Sequence, residues 1–245
     1  MIAIEQLKDK KDRETVEKLQ TTMTNDSFYG ARIEAILALR KIHTDDALEA
    51  LLTSPHQPDA RARLLLAFAI NGFYRDTAYI SDRGVLENEK NPLIIGATLD
   101  GLGNYARPEA RGILLKFLNS ESYRNQLAGA AIEAMRSQDD PAYIAPLMET
   151  LRKREADFRS WRFGNNLETL AYLARNEEKK DAVREFLLDY VNHKNESIQV
   201  GAIKALGTLG DPKSLAVLQT FADAAKTGPR KVQKFQSIGS QRFPT

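Results

Sequence analysis

The chain has 245 residues and a formal net charge of +2, so its overall charge favours neither nucleic acid nor an anionic membrane as a partner. It has no cysteine, which excludes disulfides, thiolate zinc sites, iron–sulfur clusters and a cysteine nucleophile. No apolar run approaches the roughly 18 residues of a membrane span, and no signal peptide is recognisable, so we expect a soluble protein of unassigned compartment.

One pattern recurs along the chain at intervals of 31 to 36 residues. A large apolar residue follows a small one, and another apolar residue stands three positions earlier, which is the spacing of one helix face. We call the large residue the anchor of its helix. The anchors are Leu39, Ile70, Leu102, Met135, Leu170 and Leu206. The small neighbours predict that adjacent helices approach closely.

The chain begins with MIAIEQLKDK, in which Ile4 and Leu7 have the same helical spacing. Leu7 precedes Leu39 by 32 residues, one repeat length. We therefore expect the array to start in the middle of a repeat, as a piece of a longer protein would. An unusual N-terminal cap is the alternative, because terminal repeats are often atypical.

Further helical segments lie between the anchored ones, and each opens with acids, a capping residue or proline. They read TDDALEALLTS, RPEARGILLKFLNS, DPAYIAPLMETLRKR, EEKKDAVREFLLDYVNH and DPKSLAVLQTFADAAK. Strand signals are nearly absent. A single helix pair cannot bury its apolar face alone, so neighbouring pairs must stack. The sequence predicts an all-α, right-handed α-solenoid of about six helix–turn–helix repeats over residues 1–225.

A second-helix signature, R-x-x-A-x-x-A-L-x-x-L-G-D-P, is seen in ARIEAILALRKI and GAIKALGTLGDP. This pattern resembles short HEAT-like repeats. In such a stack the second helices line the concave side, so residues two before each anchor form a column there. That column reads Leu37, Phe68, Asp100, Glu133, Glu168 and Lys204. Its carboxylates predict an acidic groove for a cationic peptide, and an ordinary solvated helix face is the alternative.

The fifth repeat departs most from the pattern, because its second helix begins with the insertion DFRSWRFGNN. Tryptophan and arginine are enriched at interface hot spots. The candidate interface patch is therefore Phe158, Arg159, Trp161, Arg162 and Phe163. The alternative is that Trp161 fills the gap that the insertion makes.

Residues 226–245 form a basic tail with five cations and no acid, which leaves the rest of the chain at 2 − 5 = −3. We expect a flexible or loosely docked segment, and the acidic body argues against nucleic-acid binding. His43, His56 and His193 fall at inter-helix turns, and H-E-x-x-H is absent. The sequence thus predicts no catalytic residue, metal ligand or cofactor in this chain.

Two stretches resemble a particular family more closely. The first, NDSFYGARIEAILALRKI, holds Asp26, Phe28, Tyr29, Gly30, Arg32, Glu34 and Ala35. The second, PDARAR, holds Pro58, Asp59, Ala60, Arg61 and Arg63. Together with YLARNEEKKDAVREFLLDYV and ALGTLGDPKSL they resemble the C-terminal HEAT-like region of aminopeptidase N-type zinc metallopeptidases, over residues 25–225.

The resemblance implies a non-catalytic accessory domain that helps enclose the peptide substrate. Zinc and the catalytic residues would belong to an N-terminal domain that this chain does not contain. Its partner would be that catalytic domain or a peptide. A free-standing HEAT-like interaction scaffold is the second hypothesis, and an enzyme built on such repeats, such as a phycobilin lyase or alkylpurine glycosylase relative, is a distant third.

Overall fold

A computed structural model describes residues 10–53 and 57–227, with side chains described as far as residue 224. This part of the chain forms thirteen α-helices and no strand, so the predicted all-α fold is confirmed. In chain order the helices are α1 (Arg13–Asn25), α2 (Tyr29–Ile42), α3 (Asp45–Leu52), α4 (Ala60–Ile70), α5 (Asp76–Asn88), α6 (Pro92–Leu102), α7 (Pro108–Leu118), α8 (Gln126–Gln138), α9 (Ile144–Arg154), α10 (Ser160–Ala174), α11 (Asp181–Leu188), α12 (Glu196–Leu209) and α13 (Leu215–Thr227).

The helices belong to two compact units, Met1–Leu114 and Leu115–Thr245, and α7 contributes residues to both. In unit 1 the second helices pack side by side, α2 on α4 and α4 on α6. First helix α1 packs on α2 and α3, and α5 packs on α6. The anchors Leu39, Ile70 and Leu102 are all buried between these helices. Stacked helix pairs therefore build the core of this unit, as predicted.

Unit 2 repeats the arrangement. Second helices α8, α10 and α12 pack in that order, with α9 and α11 on α10 and with α11 also on α12. The anchors Met135, Leu170 and Leu206 are buried in the same way. The small residue before each anchor is buried in both units, which confirms that small side chains lie where second helices meet.

Local sequence signals set where the helices begin. The side chains of Asp12, Thr44, Asp59, Asn91 and Asn195 each accept a hydrogen bond from a backbone N–H in the first turn of the helix that follows. These caps satisfy donors that a helix N-terminus leaves without an intrahelical partner. Proline stands at the start of α6 and α7, where its missing N–H costs no hydrogen bond.

The structure has two first helices, α1 and α5, that the sequence analysis did not predict. The buried side of α1 holds Thr15, Val16, Leu19 and Met23 within an otherwise polar segment. The buried side of α5 includes Asp82, which interrupts the apolar pattern that predicts a helix face. Residues 1–9, His56 and residues 228–245 lie outside the described part, so the half repeat at the start and the character of the tail stay predictions. Helix α13 continues through Thr227, two residues into the predicted tail.

Candidate binding surface

The predicted column in unit 1 lies at equivalent positions on three adjoining second helices. Leu37 on α2 is half-buried, Phe68 on α4 is 39% exposed, and Asp100 on α6 is exposed. Leu93, two turns before Asp100 on α6, is 58% exposed. We call the set Leu37, Phe68, Leu93 and Asp100 the unit 1 face. It is mainly apolar, with a single carboxylate, and the acidic groove expected from sequence stays a prediction.

Aromatic and cationic side chains meet at the N-terminal ends of α2 and α4. The Arg61 guanidinium lies 3.7 Å from the centre of the Tyr29 ring and is also bound by the Asp59 carboxylate at 2.7 Å. Phe28, beside Tyr29, is 55% exposed. The ring of Phe28 lies over Gly30, where a Cβ would stand 2.5 Å from it. Glycine at position 30 therefore makes room for this ring.

In unit 2 the column holds Glu133 on α8, Glu168 on α10 and Lys204 on α12. The Arg162 side chain crosses from α10 to α8 and binds the Glu133 carboxylate at 2.9 Å. It passes over Gly129, where a Cβ would lie 2.6 Å from its Cδ. Glu133 is thus neutralised within the unit, and Glu168 also has a partner. A continuous acidic row including Asp100 stays a prediction, because Asp100 belongs to unit 1.

The candidate patch around the insertion divides between core and surface. Phe163 is fully buried and Phe158 nearly so, and the two rings contact each other with 6.3 Å between their centres. Including them in a surface patch was therefore wrong. Apolar rings fill the space that the insertion opens, because burial removes their surface from water. Trp161 is 49% exposed, so it does not fill that space itself.

Arg159, Trp161 and Arg162 remain at the surface, and the Arg162 guanidinium lies 4.9 Å from the Trp161 ring centre. Sequence reasoning missed a related cluster at the other end of α10. There Tyr172 lies between two guanidinium groups, Arg136 at 4.2 Å and Arg175 at 3.6 Å from its ring centre. Arg175 also makes two hydrogen bonds of 2.5 Å to Asp139 and lowers the pKa of that carboxyl.

A buried carboxyl group in unit 1 was also missed. Asp82 on α5 is 2% exposed, and its Oδ2 atom has no hydrogen-bond partner. Burial raises the pKa of Asp82 to about 8. The corresponding position in other first helices holds a buried leucine: Leu51, Leu114, Leu147 and Leu187. Aligning the first helices on this leucine position would have revealed the exception.

Two of the three histidines lie in described turns, as expected. His43 ends α2 in the left-handed conformation, and its ring stacks on Phe73 with 4.4 Å between ring centres. His193 is mostly buried; its Nδ1 accepts a hydrogen bond from Asn195 N–H at 3.0 Å, and its Nε2 lies 3.2 Å from a Glu155 oxygen. Both rings therefore have structural roles at helix ends.

Among the described residues, no three His, Asp or Glu side chains are grouped as metal ligands would be. The helices of residues 10–53 and 57–227 are also too short or too polar for any of them to cross a bilayer.

Comparison with known proteins identifies a HEAT-like repeat in unit 2. Residues 198–223 match the model of the PBS lyase HEAT-like repeat, which confirms the HEAT-like prediction for this segment. No curated protein matches the chain in sequence. Among solved structures the chain is similar to human deoxyhypusine hydroxylase, solved in complex with glycerol, at 17% identity and a TM-score of 0.38 over 94% of this chain and 96% of that one. At this level of similarity, nothing about the activity of this chain follows from the activity of that enzyme.

Several residues on which the aminopeptidase resemblance rests stabilise turns between helices. Asp26 accepts a hydrogen bond from Phe28 N–H at 2.8 Å, and Arg32 donates to the Asp26 carbonyl at 3.0 Å. Asp59 caps α4 in the same way, and Arg63 donates to the carbonyls of residues 57 and 58. A helix-pair stack needs such turns whatever it binds, so these contacts support the repeat more strongly than the peptidase link.

Proposed function

We propose that this chain is a non-catalytic HEAT-like scaffold that binds a protein partner through the unit 1 face. The observation that carries the proposal is the exposure of Phe68 and Leu93 on neighbouring second helices, with Phe28 exposed near the start of α2. Contiguous exposed apolar surface is typical of protein interaction sites. Extended helical arrays use such surfaces for binding rather than for chemistry.

A finer version of this proposal is that the partner is the catalytic region of an aminopeptidase N-type zinc enzyme. The order of the turn motifs around Asp26 and Asp59 supports it. In that setting the chain encloses the peptide path, and every bond-breaking group comes from the partner. The unit 1 face would then bind the catalytic region.

The finer proposal is tested by mixing the purified chain with a separately purified aminopeptidase N-type catalytic region from the same source. We expect a complex in size-exclusion chromatography that Phe68→Asp abolishes. Ile80→Asp is the matched control, because Ile80 is 65% exposed on first helix α5 of the same unit. Failure to form a complex would overturn the aminopeptidase link and leave the scaffold proposal standing.

The non-catalytic part of the proposal has its own test. The chain alone, with zinc and an amino-acid arylamide, should release no arylamine. Turnover that follows the chain through successive purification steps would contradict it.

A further inference from the structure

Unit 1 contains a groove beside α5, the longer of two neighbouring first helices. Helix α3 has eight residues, about 12 Å, whereas α5 has thirteen, about 20 Å. On the α5 side the groove is lined by Ser81, Gly84, Val85 and Asn88.

The groove has a volume of about 710 Å³, within the range of pockets that hold a small ligand or a short peptide segment. Its floor is aliphatic. Leu66, Ala67 and Ile70 of α4 and Ile94 of α6 form it, and all four are buried within the unit. An aliphatic side chain entering this space would lose its own contact with water and gain packing contacts.

One end of the groove is polar and fixed. The Arg63 Nε atom donates to Glu89 at 2.8 Å, and its Nη1 atom donates to the carbonyls of Gln57 and Pro58 at 2.9 and 3.1 Å, so its charge is paired and its position is fixed. Glu89 is partly desolvated, but hydrogen bonds from the backbone of Asn91, from Arg63 and from the backbone of Lys90 outweigh this and lower its pKa. Within the described residues no carboxylate pairs with the Lys90 ammonium. Lys90 therefore places one unpaired positive charge at the rim of the groove.

We propose that this groove binds a short segment of a partner protein that places an aliphatic side chain on the floor and an adjacent Asp or Glu beside Lys90. The carboxylate of that Asp or Glu would pair with the Lys90 ammonium. The aliphatic floor would favour an aliphatic residue beside it in the bound segment. Ser81 and Asn88 offer polar groups to the backbone of the segment. Phe68 does not line the groove, so this site is separate from the unit 1 face.

Selection of a random octapeptide phage library against the whole chain tests the proposal without assuming a ligand. We expect enriched peptides that combine Leu, Ile or Val with a neighbouring Asp or Glu. Gly84→Leu should abolish their binding, because a side chain at position 84 enters the groove and meets no other atom within 4 Å. Gly112→Leu is the matched control, since Gly112 is also helical and open but lies outside the groove.

Lys90→Gln should weaken the enriched peptides about threefold, as expected for one exposed ion pair, and remove the preference for an acid. Phe68→Asp should leave their binding unchanged, which separates this test from that of the proposed function. No enrichment, or equal binding to Gly84→Leu and Gly112→Leu, would overturn the proposal. Decanoate binding that Gly84→Leu removes, without peptide enrichment, would also overturn it and assign the groove to a small amphipathic carboxylate.

Discussion

Gly164 on α10 lies directly against Gly201 on α12. A Cβ on Gly164 would stand 2.6 Å from the Ser197 carbonyl oxygen, and one on Gly201 would stand 2.7 Å from the carbonyl carbon and oxygen of Gly164. Real Cβ atoms do not approach backbone so closely. The two glycines therefore allow the backbones of neighbouring second helices to touch.

Gly201→Ala is expected to lower the free energy of unfolding by about 1–3 kcal/mol, because the new methyl group forces α10 and α12 apart. Gly207→Ala on the same helix is the control, since nothing lies within 4 Å of its Cβ position. That change should raise stability by roughly 0.5–1 kcal/mol through helix propensity. Urea denaturation followed by circular dichroism measures both, and equal effects would show that the close approach is absent.

Leu102 and Leu93 test the anchor pattern within a single helix. Leu102→Ala is expected to cost about 2–5 kcal/mol, because it leaves a cavity in the core of unit 1. Leu93→Ala, on the exposed side of α6, should cost under about 1 kcal/mol. Denaturant unfolding of the two variants measures the difference. Similar losses for both would mean that the anchors do not face the core.

The anchors and the second helices could be predicted because a large apolar residue recurs at a nearly constant spacing, as at Leu39 and Leu206. Helix α5 could not be predicted, because Asp82 occupies a position that is leucine in other first helices. The Arg162–Glu133 pair joins two helices across Gly129, and sequence spacing along one helix does not show which side chains meet across two. The burial of Phe158 and Phe163 was missed for the same reason.

Asp82 predicts an unusual dependence of stability on pH. Its folded-state pKa of about 8 lies above the ordinary value of 3.8, so the folded protein holds a proton that the unfolded chain releases. The contribution of Asp82 to stability is therefore highest below about pH 4 and falls as pH rises towards 8, by at most roughly 1.4 kcal/mol per pH unit. Tyr105, whose pKa burial and the nearby Asp82 raise, titrates outside this window.

Asp82→Leu should remove this fall and be more stable than the native chain at pH 8, since leucine occupies the equivalent positions elsewhere. Asp82→Asn keeps the shape without the charge and should also remove the fall. Chemical denaturation at pH 5, 6.5 and 8 measures the three proteins. Parallel pH profiles for the native chain and Asp82→Asn would rule out a buried, titrating carboxyl.

The ion pairs of Arg184 in unit 2 lead us to expect the opposite dependence of stability on pH. It binds Asp211 at 2.6 Å and Asp181 at 2.7 Å, and Lys213 also binds Asp181. Hydrogen bonds from the side chains of Lys213 and Arg184 lower the pKa of Asp181 to about 2. The pKa of Asp211 is lowered by a hydrogen bond from the Lys213 backbone N–H and by one from the Arg184 side chain. Depressed carboxyl pKa values stabilise the fold above about pH 4, and this contribution is lost as pH falls towards 2.

Arg184→Gln should therefore destabilise the chain at pH 7 and make little difference near pH 2. Lys153→Gln, which removes an exposed pair with Glu149 in the same unit, should have little effect at either pH. Thermal unfolding at the two pH values compares them. A loss that persists unchanged at pH 2 would show that Arg184 acts through packing instead of charge.

The central claim is that the unit 1 face binds a protein partner. A photo-crosslinking amino acid at position 68 or at position 80, in the full chain expressed in cells of its source, tests it most directly. The account predicts one discrete crosslinked product at position 68 that Leu37→Asp removes, and no such product at position 80. No product at position 68, or the same product from both positions regardless of Leu37→Asp, would contradict it.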